Sequence, residues 1–477
     1  MKITARLLSS ERAKKNIFLF PSERRQYRLL PIFFLSLLAF ILVLPANAAE
    51  VTLQAPSEYK VTKIVDAGKA VAFTFDFEGN YITAENIGMP AIKKRPEIIA
   101  YKINKISSDG SVQSLLDRTG QKVDNLSYYR GEVYIVTRGN IFKIVKGKIF
   151  GVITSLPTYG DYANSNLVFN NGYMYFAVGT ATNSGIIGPD NSWLKTYPSF
   201  RDTPCATVKV NGVNVETDNY LTEKKDDKAQ TSGFGAFNTP LQPGQMVYGR
   251  VKCNSGVIKS STDGVMSEVF AWGFHNPKGL SIDDKGQLWI FDGGMEDRGV
   301  RPIKDGKDAL FSVSQNNWYG WPDFNAGTPV DTQPVLAEFP NHPPKPNRVF
   351  DMNKIVSMMV SPSAFAVDSA IAQIADDKLA LLDLKGNNLD NFLTVSNAKI
   401  LQYKFGPNDK LYLLIATPDG KTSIYSVEST VPRVAAGIIS VKNRSTWNNW
   451  LVGIMLAVFA GAGFFVLRNM RRPIPPF

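Results

Sequence analysis

"GLSIDDKGQLWIFDGG", Gly279 to Gly294, decides the fold of this chain. A short apolar run through Leu280 and Ile282 enters a polar Asp-Asp-Lys-Gly turn, and a second run from Leu288 carries aromatic residues at its centre. Two such runs joined by a short turn are the signature of a β-hairpin. The pattern recurs as "VAFTFDFEGNYITAE" from Val71, "NLSYYRGEVYIVTRGNIFKI" from Asn125 and "NLVFNNGYMYFAVGT" from Asn166. It returns as a degraded copy, "AFAVDSAIAQIADDKLALLDLKG", from Ala364 and as "LQYKFGPNDKLYLLIATPDGKTSIYSV" from Leu401. Hairpins that cannot bury both faces alone stack around an axis, so six copies predict an all-β chain folded as a six-bladed β-propeller. The uneven spacing places long inter-strand insertions in it, above all Thr180 to Trp272, as binding loops or extra strands. The alternative, a pair of β-sandwiches, calls for shorter and more regular strand spacing.

The chain has 477 residues and a net charge of +11. Residues 1–50 carry eight Lys and Arg against three acids, and residues 440–477 carry five against none, so the ends supply ten of the eleven charges. The body is nearly neutral, which excludes a broad basic surface for nucleic acid.

The charged ends flank apolar segments. "LLPIFFLSLLAFILVL", Leu29 to Leu44, follows Arg24, Arg25 and Arg28 and precedes an Ala46-Asn47-Ala48 cleavage pattern, so residues 1–48 read as a signal peptide or an uncleaved anchor. Trp450 to Leu467 is apolar and nearly long enough to cross a hydrocarbon core, which takes about twenty residues. Arg468, Arg471 and Arg472 behind it belong in the cytoplasm by the positive-inside tendency. The expected order is a leader (1–48), a propeller (56–427), a juxtamembrane connector (428–447), a transmembrane helix (448–468) and a cytoplasmic tail (469–477). The propeller then lies on the extracytoplasmic side, where Cys205 and Cys253 form either a disulfide or two buried thiols.

"AWGFHNPKGLSIDDKGQLWIFDGG" from Ala271, followed by "NNWYGWPDF" from Asn316, resembles the glucose/sorbosone dehydrogenase family. "EYKVTKIVDAG" from Glu58 and "GYMYFAVGTATNSG" from Gly172 extend the resemblance, which covers Pro56 to Val427. It implies a six-bladed propeller holding pyrroloquinoline quinone (PQQ) and calcium, oxidising an aldose or small aldehyde by hydride transfer to the quinone. A membrane electron acceptor would be its redox partner. The resemblance also implies a histidine base before the third hairpin. Here that segment, "TYGDYANSNLVF", has none, which leaves Asp161 and Tyr162 as the catalytic candidates, with a turn role for Asp161 as the alternative.

The family arginine before Asn-Pro is His275 in this chain, so His275 and Asn276 are the expected cofactor contacts, against simple packing of the imidazole. Asp292, Glu296 and Asp297 are the expected calcium ligands, against an Asp-Gly turn with Glu296 or Asp297 paired to Arg298 or Arg301. The other histidine, His342, falls in a Pro-rich loop and reads as a surface residue. Three functions follow for comparison: a membrane-tethered PQQ-dependent sugar dehydrogenase, a non-catalytic carbohydrate- or protein-binding module of the cell envelope, and a lactone hydrolase on the same scaffold.

Overall fold

A computed structural model describes residues 50–87, 101–162, 166–224, 226–386, 388–406 and 408–430. The leader, the apolar C-terminal segment and the tail lie outside the described residues. The described residues contain strands and no α-helix.

The strands form six antiparallel sheets of four or five strands, each a blade. The first blade spans Ala70 to Leu116, the second Val123 to Ile153, the third Leu167 to Trp272 and the fourth Asn276 to Asp351. The fifth spans Ser357 to Ser396 and gains Thr52–Gln54 as an outer strand. The sixth begins at Lys399 and takes its fourth strand from the opposite end of the chain. There Tyr59–Asp66 pairs with Thr422–Ser429, from Tyr59 opposite Ser429 to Asp66 opposite Ser423. This pairing closes the ring by joining the two ends of the propeller within one blade.

The middle strands of each blade are buried on both faces, which is why they read as dense apolar runs. In the second blade Leu126 and Ile135 face the first blade's Ile82 and Ile103, while Tyr134 and Val136 face the third blade's Met174 and Phe176. Each of these eight side chains is almost wholly buried. Every neighbouring pair of blades shares one such cluster, so the core is a ring of six apolar seams.

Five of the six hairpins open their blades as expected. The copy from Ala364 is the exception, because its strands, Ser369–Ala375 and Lys378–Asp383, are the second and third of the fifth blade. The innermost strand of that blade is Ser357–Val360, "SMMV", four residues too short and too uniform to show a period of two. The long insertion proves to contain the outer two strands of the third blade, Gly256–Ser261 and Ser267–Trp272, and two small two-stranded sheets. Cys205 and Cys253 are joined within it as a disulfide, with their Cα atoms 5.0 Å apart.

Candidate functional site

The innermost strand of the fourth blade, Asn276–Ile282, starts immediately after His275. On that face of the propeller four segments converge. They are the approach to the third blade (Asp161, Tyr162), the first part of the insertion (Asn183, Asp190, Trp193), His275 itself, and the loop that follows Leu288–Gly293 (Glu296, Arg298).

Arg298 is the centre of this meeting point. Its Nη2 donates to Asp161 Oδ2 and to the Tyr162 hydroxyl, each at 2.8 Å. Its Nη1 donates to Asp190 and its Nε to Glu296. Tyr162 in turn donates to Glu296 Oε2 at 3.1 Å. Asp161 is held from its other side by Trp193 Nε1 and Asn191 Nδ2, both at 2.9 Å. One guanidinium thus serves three carboxylates, a fork geometry that a lysine ammonium does not reproduce.

Local backbone features bring these groups together. Gly299 adopts a φ of +77°, and a Cβ there would stand 2.7 Å from both Asp190 carboxyl oxygens. Only glycine lets the chain pass this close behind the cluster. Asn183 clamps the loop by accepting from Glu296 N at 2.7 Å and donating to the Glu296 carbonyl at 2.6 Å. The Asn183 carbonyl receives Trp321 Nε1 at 3.0 Å, which ties the "NNWYGWPDF" segment to the site. Arg138 spends its guanidinium on the carbonyls of Thr158 and Gly160, holding the loop that carries Asp161.

The electrostatics follow from this packing. Burial raises the Asp161 carboxyl above its ordinary range, against the pull of Arg298. Burial works the same way on Glu296, but Arg298 and Tyr162 outweigh it and the carboxyl is held below its usual range. Burial raises the Tyr162 phenol, so it stays a neutral donor. Burial also works against the charge of Arg298, yet its carboxylate partners hold it firmly ionised.

His275 is 2% exposed, and burial lowers its pKa to about 4. As a neutral ring it donates from Nδ1 to the Gly293 carbonyl at 2.9 Å, which leaves Nε2 as an acceptor. That Nε2 is buried and has no hydrogen-bond partner. The ring packs edge-on against Tyr162, with centroids 4.3 Å apart.

The calcium candidates are not brought together. Asp292 accepts from the backbone N–H groups of His275 and Asn276 at 3.0 and 2.8 Å, which makes it the clamp at the start of the strand. Glu296 belongs to Arg298, and Asp297 is exposed. Among the described residues no group of three or more Asp, Glu, His or Cys side chains is placed to hold a metal ion. Arg301 pairs instead with buried Asp323, at 2.8 Å. Asp161, Tyr162 and Glu296 stand out in the sequence, whereas Asp190, Trp193 and the place of Arg298 as the hub do not. A lone arginine in the acidic, glycine-rich "DGGMEDRG" was the available signal.

PQQ bears three carboxylates and needs uncommitted cations. Neither residue expected to contact it, His275 or Asn276, supplies a positive charge, since Asn276 is an uncharged amide. His275 is neutral and its one N–H is committed to Gly293, and the nearby cations Lys278, Arg298 and Arg301 already face Asp308, the three-carboxylate cluster and Asp323. With its four side chains ionised, the cluster around Arg298 is net negative.

A solved PQQ-bound aldose sugar dehydrogenase from Streptomyces coelicolor is 12% identical, with 80% of this chain and 99% of that one covered at a TM-score of 0.41. The PQQ domain of pyranose dehydrogenase from Coprinopsis cinerea is 8% identical, with 80% and 97% covered at a TM-score of 0.47. No curated protein matches the chain. Residues 249–425, from the outer strands of the third blade to the end of the sixth, match the glucose/sorbosone dehydrogenase family model, and the chain resembles that family.

Proposed function

We propose that this sugar-dehydrogenase-like propeller binds a neutral polyhydroxylated ligand, a saccharide, at the Arg298 cluster, and that it acts as a carbohydrate-binding module without oxidising that ligand through PQQ at the cluster. The observation that carries this reading is the arrangement of Arg298 with Asp161, Asp190 and Glu296. It presents a carboxylate edge, Glu296 Oε1, suited to a hydroxyl group, and it has no spare positive charge for a tricarboxylate.

The surroundings suit the same ligand. Glu296, with its side chain one-third exposed, directs only Oε2 to Arg298 and Tyr162, leaving Oε1 for a hydroxyl. Tyr159 and Tyr197 lie exposed with ring centroids 4.7 Å apart, and both join Trp193 and Asp161 through Phe200 and the loop. Exposed aromatic faces take the C–H surface of a sugar ring while polar groups fix its hydroxyls.

Proton abstraction has weaker support. Both Asp161 oxygens are occupied, Tyr162 is neutral, and the Glu296 carboxylate is a weaker base than an ordinary one. The dehydrogenase reading rests on the family match. We further propose that the propeller is exported and tethered by the apolar C-terminal segment, on the sequence evidence at the two ends. Assay of the purified full chain with PQQ and calcium, an aldose panel and a dye acceptor tests the catalytic part. No aldose-dependent reduction is expected, and reduction that requires added PQQ contradicts the proposal.

A further inference from the structure

The innermost strands start at the face that carries Arg298 and end at the opposite one. For the fourth blade, the seven residues of Asn276–Ile282 span about 23 Å at ~3.3 Å per residue. At the far end, residues from all six innermost strands enclose an axial cavity of about 410 Å³. Its polar lining includes Thr74, Asn125, Ser127, Ser281 and Lys404, and aliphatic and aromatic side chains supply most of the remaining wall. Among the described residues no carboxylate lines it.

Lys404 is the feature that stands out. Its Nζ donates to Asn125 Oδ1 at 2.7 Å and to the Leu126 carbonyl. An ammonium carries three N–H donors, so one remains. Lys404 forms no ion pair among the described residues, and its contacts are with neutral groups. The side chain is half-buried, and a cation partly withdrawn from water without a countercharge is costly unless something supplies one. Burial accordingly lowers the Lys404 pKa to about 7.

We propose that this axial cavity binds a small organic carboxylate, with Lys404 Nζ as its countercharge and the apolar wall against its hydrocarbon part. The mixed lining favours an anion with an apolar body over inorganic phosphate, whose four oxygens would leave that wall uncovered. Nothing in this site depends on the Arg298 cluster.

The test is calorimetric titration of the full chain with benzoate, with inorganic phosphate in parallel, repeated on Lys404→Met. Asn125 Oδ1 keeps the Gln402 amide at 3.0 Å in that variant. Saturable benzoate binding is expected, weakened tenfold or more by Lys404→Met, with no saturation by phosphate. Absent benzoate binding, binding indifferent to Lys404→Met, or phosphate binding as tight as benzoate overturns the proposal. A second measurement uses the wild-type chain alone. Acetylation of Lys404 by a small acylating reagent, read by mass spectrometry, should slow at least fivefold in saturating benzoate while other lysines are unaffected, and unchanged rates refute the site.

Discussion

Arg298 and Asp161, 137 residues apart in the chain, meet at 2.8 Å, and through that contact the approach to the third blade is fixed against the loop of the fourth. Replacing Arg298 with Met leaves three carboxylates facing one another. Removing one partner of a buried ion pair costs roughly 3–5 kcal/mol. Because the Arg298 side chain is 28% exposed, a loss of about 2 kcal/mol is expected here. The deficit should shrink from pH 8 to pH 4, as protonation relieves the repulsion. Urea denaturation at the two pH values reads both effects, and a variant as stable as wild type contradicts the central place given to Arg298.

His275 supplies a pH signature. Its folded pKa is about 4 against an ordinary 6.5, so between those values the unfolded chain binds the extra proton. Stability from His275 is therefore fully present above pH 6.5 and is lost as pH falls toward 4, at up to about 1.4 kcal/mol per pH unit. Asp202 and Asp292, both raised by burial to about 7, act with the opposite sign, since the native state holds their protons over much of that range. Wild type alone thus shows a mixture, and the difference between wild type and His275→Gln isolates the imidazole. The chain has only two histidines, so proton NMR resolves both, and the resonance missing from the variant should titrate near pH 4. Titration of that resonance near 6.5 would place the ring in water.

The Cys205–Cys253 bridge closes a loop with a sequence separation of 48. In the chain-entropy model a loop of that size is worth about 4 kcal/mol. The double variant Cys205→Ala with Cys253→Ala should lose stability of that order, and proteolysis should strike first within 205–253. Alkylation of the unreduced, denatured chain should add no mass, because the described chain has no free cysteine. Uptake of two alkyl groups would show the bridge to be absent.

The propeller was legible because its seams require apolar residues on both faces of the middle strands, and that demand writes the hairpin pattern into the sequence. It failed at Ser357–Val360, where the innermost strand is too short to carry a period. His275 was legible as a departure from the family pattern, but its role was not. Whether an imidazole packs or projects depends on the Gly293 carbonyl 18 residues away and on the Tyr162 ring. Asp292 looked like a metal ligand because a carboxylate has the same composition whether it holds calcium or caps backbone N–H groups. Arg298 was missed as a hub because its partners come from positions 161, 190 and 296, and only the closed ring brings them together.

Gly299 gives a sharper local test. Alanine there must accept a φ of +77° and place a methyl group 2.7 Å from the Asp190 carboxylate. Such a substitution costs more than the ~1 kcal/mol that glycine replacement gains at compatible sites. Gly299→Ala should lower the melting temperature and weaken any ligand at the Arg298 cluster, whereas Gly110→Ala, with open space around its Cβ, should carry the φ strain alone. Equal effects of the two on ligand binding would remove Gly299 from the site.

The most direct test of the central claim is a pair of titrations of the full chain, one with a panel of neutral saccharides and one with PQQ and calcium, followed by tryptophan fluorescence. Trp193 reports because its Nε1 donates to Asp161. The account predicts a saturable response to at least one saccharide that is lost in Glu296→Gln, and none to the quinone. A tight, saturable response to the quinone, with no saccharide response that depends on Glu296, would contradict it.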